Sequence, residues 1–126
     1  MIVLQLGPLS KDELAIYFDK EGADLLSSKI SALLGGKGNA ERVGCLRSLR
    51  GDPEESMIEM RLNVLDRLEM KNNLLLLDMS SDALEYAFYQ LSEFLRTGYF
   101  FPSEFWSFSR EGRKYDTQVF FGKLSS

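Results

Sequence analysis

An alternating apolar run followed directly by a helix-spaced apolar pattern occurs twice in this chain, about 61 residues apart. In the first copy, apolar residues lie at every second position from Leu14 to Phe18, which predicts a strand over residues 13–18. Asp19 is then placed to cap a helix that continues to Leu34 and carries its leucines and isoleucine on one face. Because a strand and a helix each need a partner for the apolar face, the pattern predicts a sheet covered by helices.

The second copy follows the same order. Leu75, Leu77 and Met79 lie where the first copy has Leu14, Ile16 and Phe18, which predicts a strand over residues 74–79. A helix is predicted to begin after Ser80 and run to about Arg96. Gly98 lies just beyond, where a glycine commonly ends a helix. Few residues are identical between the copies. Two interpretations therefore stay open: two related strand–helix units, or two generic units that match by pattern alone.

Further strands are predicted from short apolar runs that turn residues bound. They are Ile2–Leu6, Arg42–Leu49 and Gln118–Leu124. The segment 57–65 leaves two alternatives. Its alternating apolar residues favour a strand that continues through residues 67–70 and turns at Asn72, whereas Asp52–Glu55 supplies the cap, proline and acids of a helix start. We favour the strand.

The sum of these elements is an α+β fold with one mostly antiparallel sheet and two helices packed on one of its faces. The 126 residues suffice for one domain with its own core. No linker or low-complexity tract divides them, so we predict a single domain over residues 1–126. The buried helix positions are expected to include Leu26, Ile30, Leu91 and Leu95.

The lack of histidine excludes several kinds of chemistry. The chain has no histidine and one cysteine, so Ser-His-Asp and Cys-His nucleophiles and Cys/His zinc sites are excluded. Cys45 lies in an apolar run and is expected to be a buried, unreactive thiol. Gly35–Gly38 follows a predicted helix and lacks the Ser or Thr of a phosphate-binding loop. We therefore expect no catalytic residue, no metal and no cofactor.

The charge of the chain points away from nucleic acid. The net charge is −4 at pH 7, whereas affinity for phosphate backbones comes mostly from lysine and arginine. No apolar stretch approaches the roughly 18 residues that span a bilayer, and the N-terminus has no signal-peptide pattern. The sequence predicts a cytoplasmic protein with no nucleic-acid or membrane partner, whose acidity would suit a basic protein partner.

Six of the fifteen aromatic residues are concentrated in one segment of ten positions, 99–108. They are Tyr99, Phe100, Phe101, Phe105, Trp106 and Phe108. Aromatic side chains dominate the energetics of both cores and interfaces, so this segment either closes the core or contacts a partner. In the second case, the residues expected to contact the partner are Tyr99, Phe101, Glu104, Phe105 and Trp106.

One stretch resembles a family of small bacterial proteins. Positions 16–26 read Ile-Tyr-Phe-Asp-Lys-Glu-Gly-Ala-Asp-Leu-Leu and are followed by Leu33 and Leu34. This is similar to the strand, turn and leucine-rich helix of immunity proteins from polymorphic toxin and contact-dependent inhibition systems. Residues 77–95 have a similar spacing of apolar residues. Members often carry histidines in the strand after the first helix, whereas Glu41–Leu46 contains none. The resemblance, over about half of the chain, implies a stoichiometric inhibitor that binds a cognate toxin in the cytosol.

These observations lead to two main hypotheses. The first is a non-enzymatic protein-binding module, most concretely an immunity protein that neutralises a cognate toxin. The alternative is a self-associating structural domain that forms a homodimer through segment 99–108. An enzyme that relies on Asp or Glu as its base is a third option that the residue types leave open.

Overall fold

The computed structural model describes residues 1–6, 12–48, 52–100 and 102–124. Within that part of the chain, eight strands form one sheet and two helices pack against it. In chain order the elements are β1 (Ile2–Leu6), β2 (Glu13–Phe18), α1 (Lys20–Leu34), β3 (Ala40–Arg47), β4 (Glu54–Leu62), β5 (Arg67–Lys71), β6 (Leu74–Met79), α2 (Ser81–Thr97), β7 (Glu104–Phe108) and β8 (Thr117–Lys123). The predicted α+β architecture is confirmed.

The sheet is built from four antiparallel hairpins joined by parallel pairs. Its strand order is β5-β6-β4-β3-β1-β2-β8-β7. The parallel pairs are β1–β3, β2–β8 and β4–β6. The edge strands β5 and β7 meet at one point, where the Leu68 N–H donates to the Ser109 carbonyl at 2.9 Å and the Ser109 N–H donates to the Asp66 carbonyl at 3.0 Å. The sheet therefore nearly closes on itself.

The order strand–strand–helix–strand–strand occurs twice, and we call residues 1–62 unit 1 and residues 66–124 unit 2. The register repeats with the same offset of 61 residues. In the β4–β6 pair Ile58 lies opposite Leu75, and in the β2–β8 pair Leu14 lies opposite Val119. The order of the elements thus repeats over two whole units. The offset of 61 residues holds for these parallel pairs and not for the hairpins, since Val119 pairs with Trp106 but Ile58 pairs with Val43.

Each helix begins at a capping side chain at the predicted place. The Asp19 carboxylate accepts from the Gly22 N–H at 2.7 Å, and the Ser80 hydroxyl accepts from the Ala83 N–H at 3.2 Å. The hydrogen bond from the Met1 amino group, at 2.5 Å, and then that from Gly22 lower the pKa of Asp19. Gly98 ends α2 with a φ of 84°, a conformation that glycine adopts without strain.

A single hydrophobic core draws side chains from all ten elements. Of the four predicted helix positions, Leu26, Ile30 and Leu91 are buried, while Leu95 is half-buried and packs against the core. The two helices also contact each other. Neither helix in the described part of the chain is long and apolar enough to cross a membrane.

The segment 57–65 is a strand over most of its length, as β4, and residues 63–66 lead into β5. The helix alternative is wrong because β4 pairs with β3 on one side and β6 on the other, which buries Ile58 and Met60. β3 ends at Arg47, while Leu49, the predicted end, lies outside the described residues.

Candidate partner-binding surface

The aromatic segment is divided between the connection after α2 and strand β7. No strand was predicted at the position of β7. Tyr99 is 71% exposed, Glu104 is exposed and Trp106 is half-buried. Phe105, by contrast, is only 4% exposed, and Phe101 lies outside the described residues. The segment is therefore neither wholly core nor wholly surface.

A β-bulge explains why Phe105 is buried. The register between β7 and β8 shifts between Glu104, opposite Phe120, and Trp106, opposite Val119. The extra residue at a bulge redirects the side chains around it. Phe105 stacks on Phe121 with ring centroids 4.4 Å apart. The Phe105 side chain thus belongs to the core, so we leave it out of the candidate surface.

Phe100 fixes the connection after α2 to the helix. Its ring stacks on Phe94 with centroids 4.4 Å apart and planes inclined by only 4°. Phe94 is buried, whereas Phe100 is half-buried. This stacking holds the chain close to the helix immediately after the exposed Tyr99.

Two tyrosines of α2 extend the aromatic area beyond the predicted segment. Tyr86 and Tyr89 stack with centroids 6.3 Å apart, and Tyr86 also lies 6.0 Å from the Trp106 ring. Tyr89 is 57% exposed. We call Tyr86, Tyr89, Tyr99 and Trp106 the aromatic surface. The i, i+3 spacing of the two helix tyrosines could have been found in the sequence, since such residues share a helix face.

A cleft of about 150 Å³ lies between Tyr89 and Tyr99, the two exposed rings of the aromatic surface. It is lined by Tyr89, Gln90, Glu93, Thr97, Tyr99 and Phe100. The Gln90 amide donates to the carbonyls of Pro102 and Glu104, each at 3.0 Å. Gln90 is 4% exposed, and its Oε1 has no hydrogen-bond partner among the described residues. Gln90 therefore ties the start of β7 to α2 and fixes the position of the rings.

Charged side chains surround this area. The Arg96 guanidinium donates two hydrogen bonds to the Glu93 carboxylate, with both N–O distances at 2.9 Å. The hydrogen bond from Arg96 lowers the pKa of Glu93. The Lys123 ammonium lies 5.9 Å from the centroid of the Tyr99 ring, within the range of a cation–π contact. The surface thus combines aromatic rings with polar groups at its rim, as interfaces commonly do.

The corresponding positions in unit 1 carry different residues. Subtracting 61 places Ser28 where unit 2 has Tyr89, and Lys29 where it has Gln90. Lys29 lies 3.5 Å from Glu41 in an ion pair on β3. The unit-1 helix thus contacts its following strand through an ion pair, where unit 2 uses a buried amide.

Two further features of the described residues are the single thiol and the side chains that could hold a metal. Cys45 is buried as predicted, and burial raises the pKa of its thiol to about 11. In the described part of the chain, no cluster of three or more His, Cys, Asp or Glu side chains is placed to hold a metal. Comparison with protein-family models, curated proteins and solved structures found no match to the chain.

Proposed function

We propose that this chain is a non-enzymatic protein-binding module, most concretely a cytosolic immunity protein that binds and blocks a cognate toxin. The observation that supports the proposal is the exposure of Tyr89 and Tyr99, at 57% and 71%. Tyr89 stacks on the half-buried Tyr86, and Tyr99 directly precedes Phe100, whose ring stacks on the helix. Such exposed rings on a fixed base are suited to bind another protein.

The energetic reason is that binding energy concentrates in a few anchors. Tyr, Trp and Arg are enriched among these anchors, and each costs about 2 kcal/mol or more on truncation. A tyrosine has only two side-chain torsions to order, so it loses little entropy on binding. Trp106 and Tyr86 are already partly packed against the core. The aromatic surface is therefore largely preorganised.

The charge of the chain favours a basic partner. The net charge is −4, and Glu85 and Glu104 are exposed on α2 and β7. Complementary charge increases the rate of association, and this gain falls as salt is added. The inhibitor would act by covering the toxin's active site or its substrate channel, a mechanism that requires no reactive group.

The test is protection from a toxin. The genes on either side of this one are searched for a toxin domain, which is expressed in a bacterial host with and without this chain, and growth is measured. We expect restored growth and a one-to-one complex by titration calorimetry. Unrelieved toxicity together with the absence of binding at micromolar concentrations would contradict the proposal.

The alternative partner is a second copy of the chain through segment 99–108. Sedimentation equilibrium of the purified protein distinguishes the two. A monomer at micromolar concentrations supports the toxin partner. A dimer that Tyr99→Ala dissociates would instead assign the surface to self-association.

A further inference from the structure

The cleft between Tyr89 and Tyr99 is lined by polar groups as well as by aromatic rings. Gln90, Glu93 and Thr97 supply the polar side chains. The volume of about 150 Å³ is several times the roughly 30 Å³ that one water molecule occupies in the liquid. The cleft is therefore large enough to admit the end of a side chain from a partner.

The buried amide of Gln90, which is part of the lining, has one acceptor without a donor. A side-chain amide nitrogen has two N–H groups, and Gln90 uses them on the carbonyls of Pro102 and Glu104. Gln90 Oε1 is buried and has no hydrogen-bond partner among the described residues. A buried acceptor that lacks a donor lowers the stability of the folded state. A ligand that donates a hydrogen bond to Gln90 Oε1 would recover that loss.

The other polar side chains of the lining also have spare acceptor sites. The Thr97 hydroxyl donates its one proton to the Glu93 carbonyl at 2.8 Å and accepts from the Tyr99 N–H at 3.2 Å. The Glu93 carboxylate has about four acceptor sites, of which the Arg96 guanidinium occupies two. Apart from the tyrosine hydroxyls, the lining side chains have no spare donor. The cleft therefore suits a ligand that carries several N–H donors.

Two cations of the chain itself already contact the rim of the cleft. Arg96 bonds to the Glu93 carboxylate, and the Lys123 ammonium lies 5.9 Å from the centroid of the Tyr99 ring. Neither Arg96 nor Lys123 is part of the lining, and neither donates to Gln90 Oε1. The carboxylate and the ring thus attract cations, while the buried acceptor remains open to a cation from another molecule.

The helix of unit 1 shows that the fold does not require these groups. The two helices begin 61 residues apart, at Lys20 and Ser81. With this offset, α1 has a serine in place of Tyr89 and an alanine in place of Glu93. α1 therefore packs on the same sheet without the ring and without the carboxylate. The groups that line the cleft are additions of α2, which is expected if they serve binding.

We propose that this cleft binds an arginine side chain of the partner, whose guanidinium stacks on a tyrosine ring and donates hydrogen bonds to Gln90 Oε1 and to the Glu93 carboxylate. A guanidinium is planar, carries five donors and stacks on aromatic faces. It is also more weakly hydrated than the ammonium of lysine, so it loses less hydration free energy when it enters the cleft. The inference deepens the proposed function and rests on it for the source of the arginine, a basic toxin.

The test needs no toxin. The chain, labelled with ¹³C and ¹⁵N, is titrated with N-acetyl-arginine N-methylamide, and the side-chain carbonyl ¹³C signal of Gln90 is followed by NMR. The citrulline derivative is the matched control, because it keeps the shape of arginine but replaces the cation with a neutral urea group. We expect the arginine derivative to shift the Gln90 signal and to bind about tenfold more tightly than the citrulline derivative.

Three outcomes would overturn the proposal. The first is the absence of any shift of the Gln90 signal at tens of millimolar of the arginine derivative. The second is equal affinity for the citrulline derivative, which would show that the cleft does not select a cation. The third is tighter binding of the corresponding lysine derivative, which would show that the cleft does not prefer a guanidinium.

Variants connect the binding to the cleft. Glu93→Gln should weaken binding of the arginine derivative about tenfold, because it removes the charge that pairs with the guanidinium. Glu21→Gln is the matched control, since Glu21 is exposed on α1 and is not part of the lining. Equal losses in the two variants would show that overall charge, and not the cleft, attracts the arginine, and would overturn the assignment.

The outcomes for this inference and for the proposed function are distinguishable. Protection from a toxin by a chain whose cleft binds no arginine derivative would overturn the inference alone. Binding of the arginine derivative at Gln90 without protection from a toxin would support the cleft and contradict the proposed function alone.

Discussion

Units 1 and 2 share one topology but connect the helix to the next strand in different ways. After α1 the chain reads Gly-Gly-Lys-Gly-Asn over residues 35–39, and all five residues are exposed. After α2, Gly98 is followed by Tyr99 and by Phe100, which stacks on the helix. The same architecture is thus reached with and without aromatic residues at this connection.

The comparison separates what the fold needs from what it does not. Buried positions correspond closely between the units, as with Ile30 and Leu91. Exposed positions do not: Ser28 corresponds to the 57% exposed Tyr89. Unit 1 therefore serves as an internal control, because it shows that this topology can be completed without exposed rings.

The largest effect on stability is expected where the units agree. Ile30→Ala and Leu91→Ala truncate corresponding side chains that are at most 1% exposed. Each should lower the free energy of unfolding by about 2–5 kcal/mol, because a cavity is left in a packed core. Urea unfolding measures both. If only one variant were destabilised, the cores of the two units would not be equivalent.

A smaller effect on the free energy of unfolding is expected where one unit uses a buried amide and the other a partly exposed ion pair. Gln90→Ala removes the donor for two carbonyls and should cost about 1–3 kcal/mol. Lys29→Ala, its counterpart, removes a partly exposed ion pair and should cost about 0–1 kcal/mol. The midpoints of urea unfolding compare the two. Equal losses would show that Gln90 does not anchor β7.

The helix caps should differ in their response to pH. Asp19→Ala and Ser80→Ala should each cost about 0.5–2 kcal/mol at pH 7. The folded-state pKa of Asp19 is below its ordinary value of 3.8. The stability that ionised Asp19 contributes is therefore complete above pH 3.8 and is lost as the pH falls through the lower folded value.

Unfolding free energies of the wild type and both variants, measured from pH 7 down to pH 3, test this expectation. The difference in unfolding free energy between the wild type and Asp19→Ala should become smaller in acid. The corresponding difference for Ser80→Ala should change less. A constant gap for Asp19→Ala would contradict the pKa assignment.

Much of the fold could be predicted because the spacing of apolar residues and the helix caps both depend on residues that are close in sequence. The bounds of β1, β2, α1 and β6 agree with the predicted ones, since in each case an apolar pattern stops at a cap or a turn. β7 was missed because aromatic residues crowd its sequence and a bulge breaks its alternation. The strand order could not be predicted, because it depends on pairing between distant segments.

The candidate site was only partly predictable for a related reason. Segment 99–108 contains two rings of the aromatic surface, but composition could not separate the buried Phe105 from the exposed Tyr99. That difference arises from the register with β8. Tyr86 and Tyr89 join the surface from a helix whose orientation toward Trp106 is set by tertiary packing.

The smallest change in stability, and the decisive change in binding, are expected at the exposed rings. Tyr89→Ala and Tyr99→Ala should change the free energy of unfolding by no more than about 0.5 kcal/mol, because both side chains are largely solvated. The control is Ser28→Ala, the unit-1 counterpart of Tyr89, which should change neither stability nor affinity.

Titration calorimetry of these three variants against a toxin domain that the wild-type chain binds tests the central claim most directly. Each tyrosine variant should lose about 2 kcal/mol or more of binding free energy at native stability, while Ser28→Ala binds as the wild type does. Wild-type affinity in both tyrosine variants would contradict the claim that the aromatic surface is the interface.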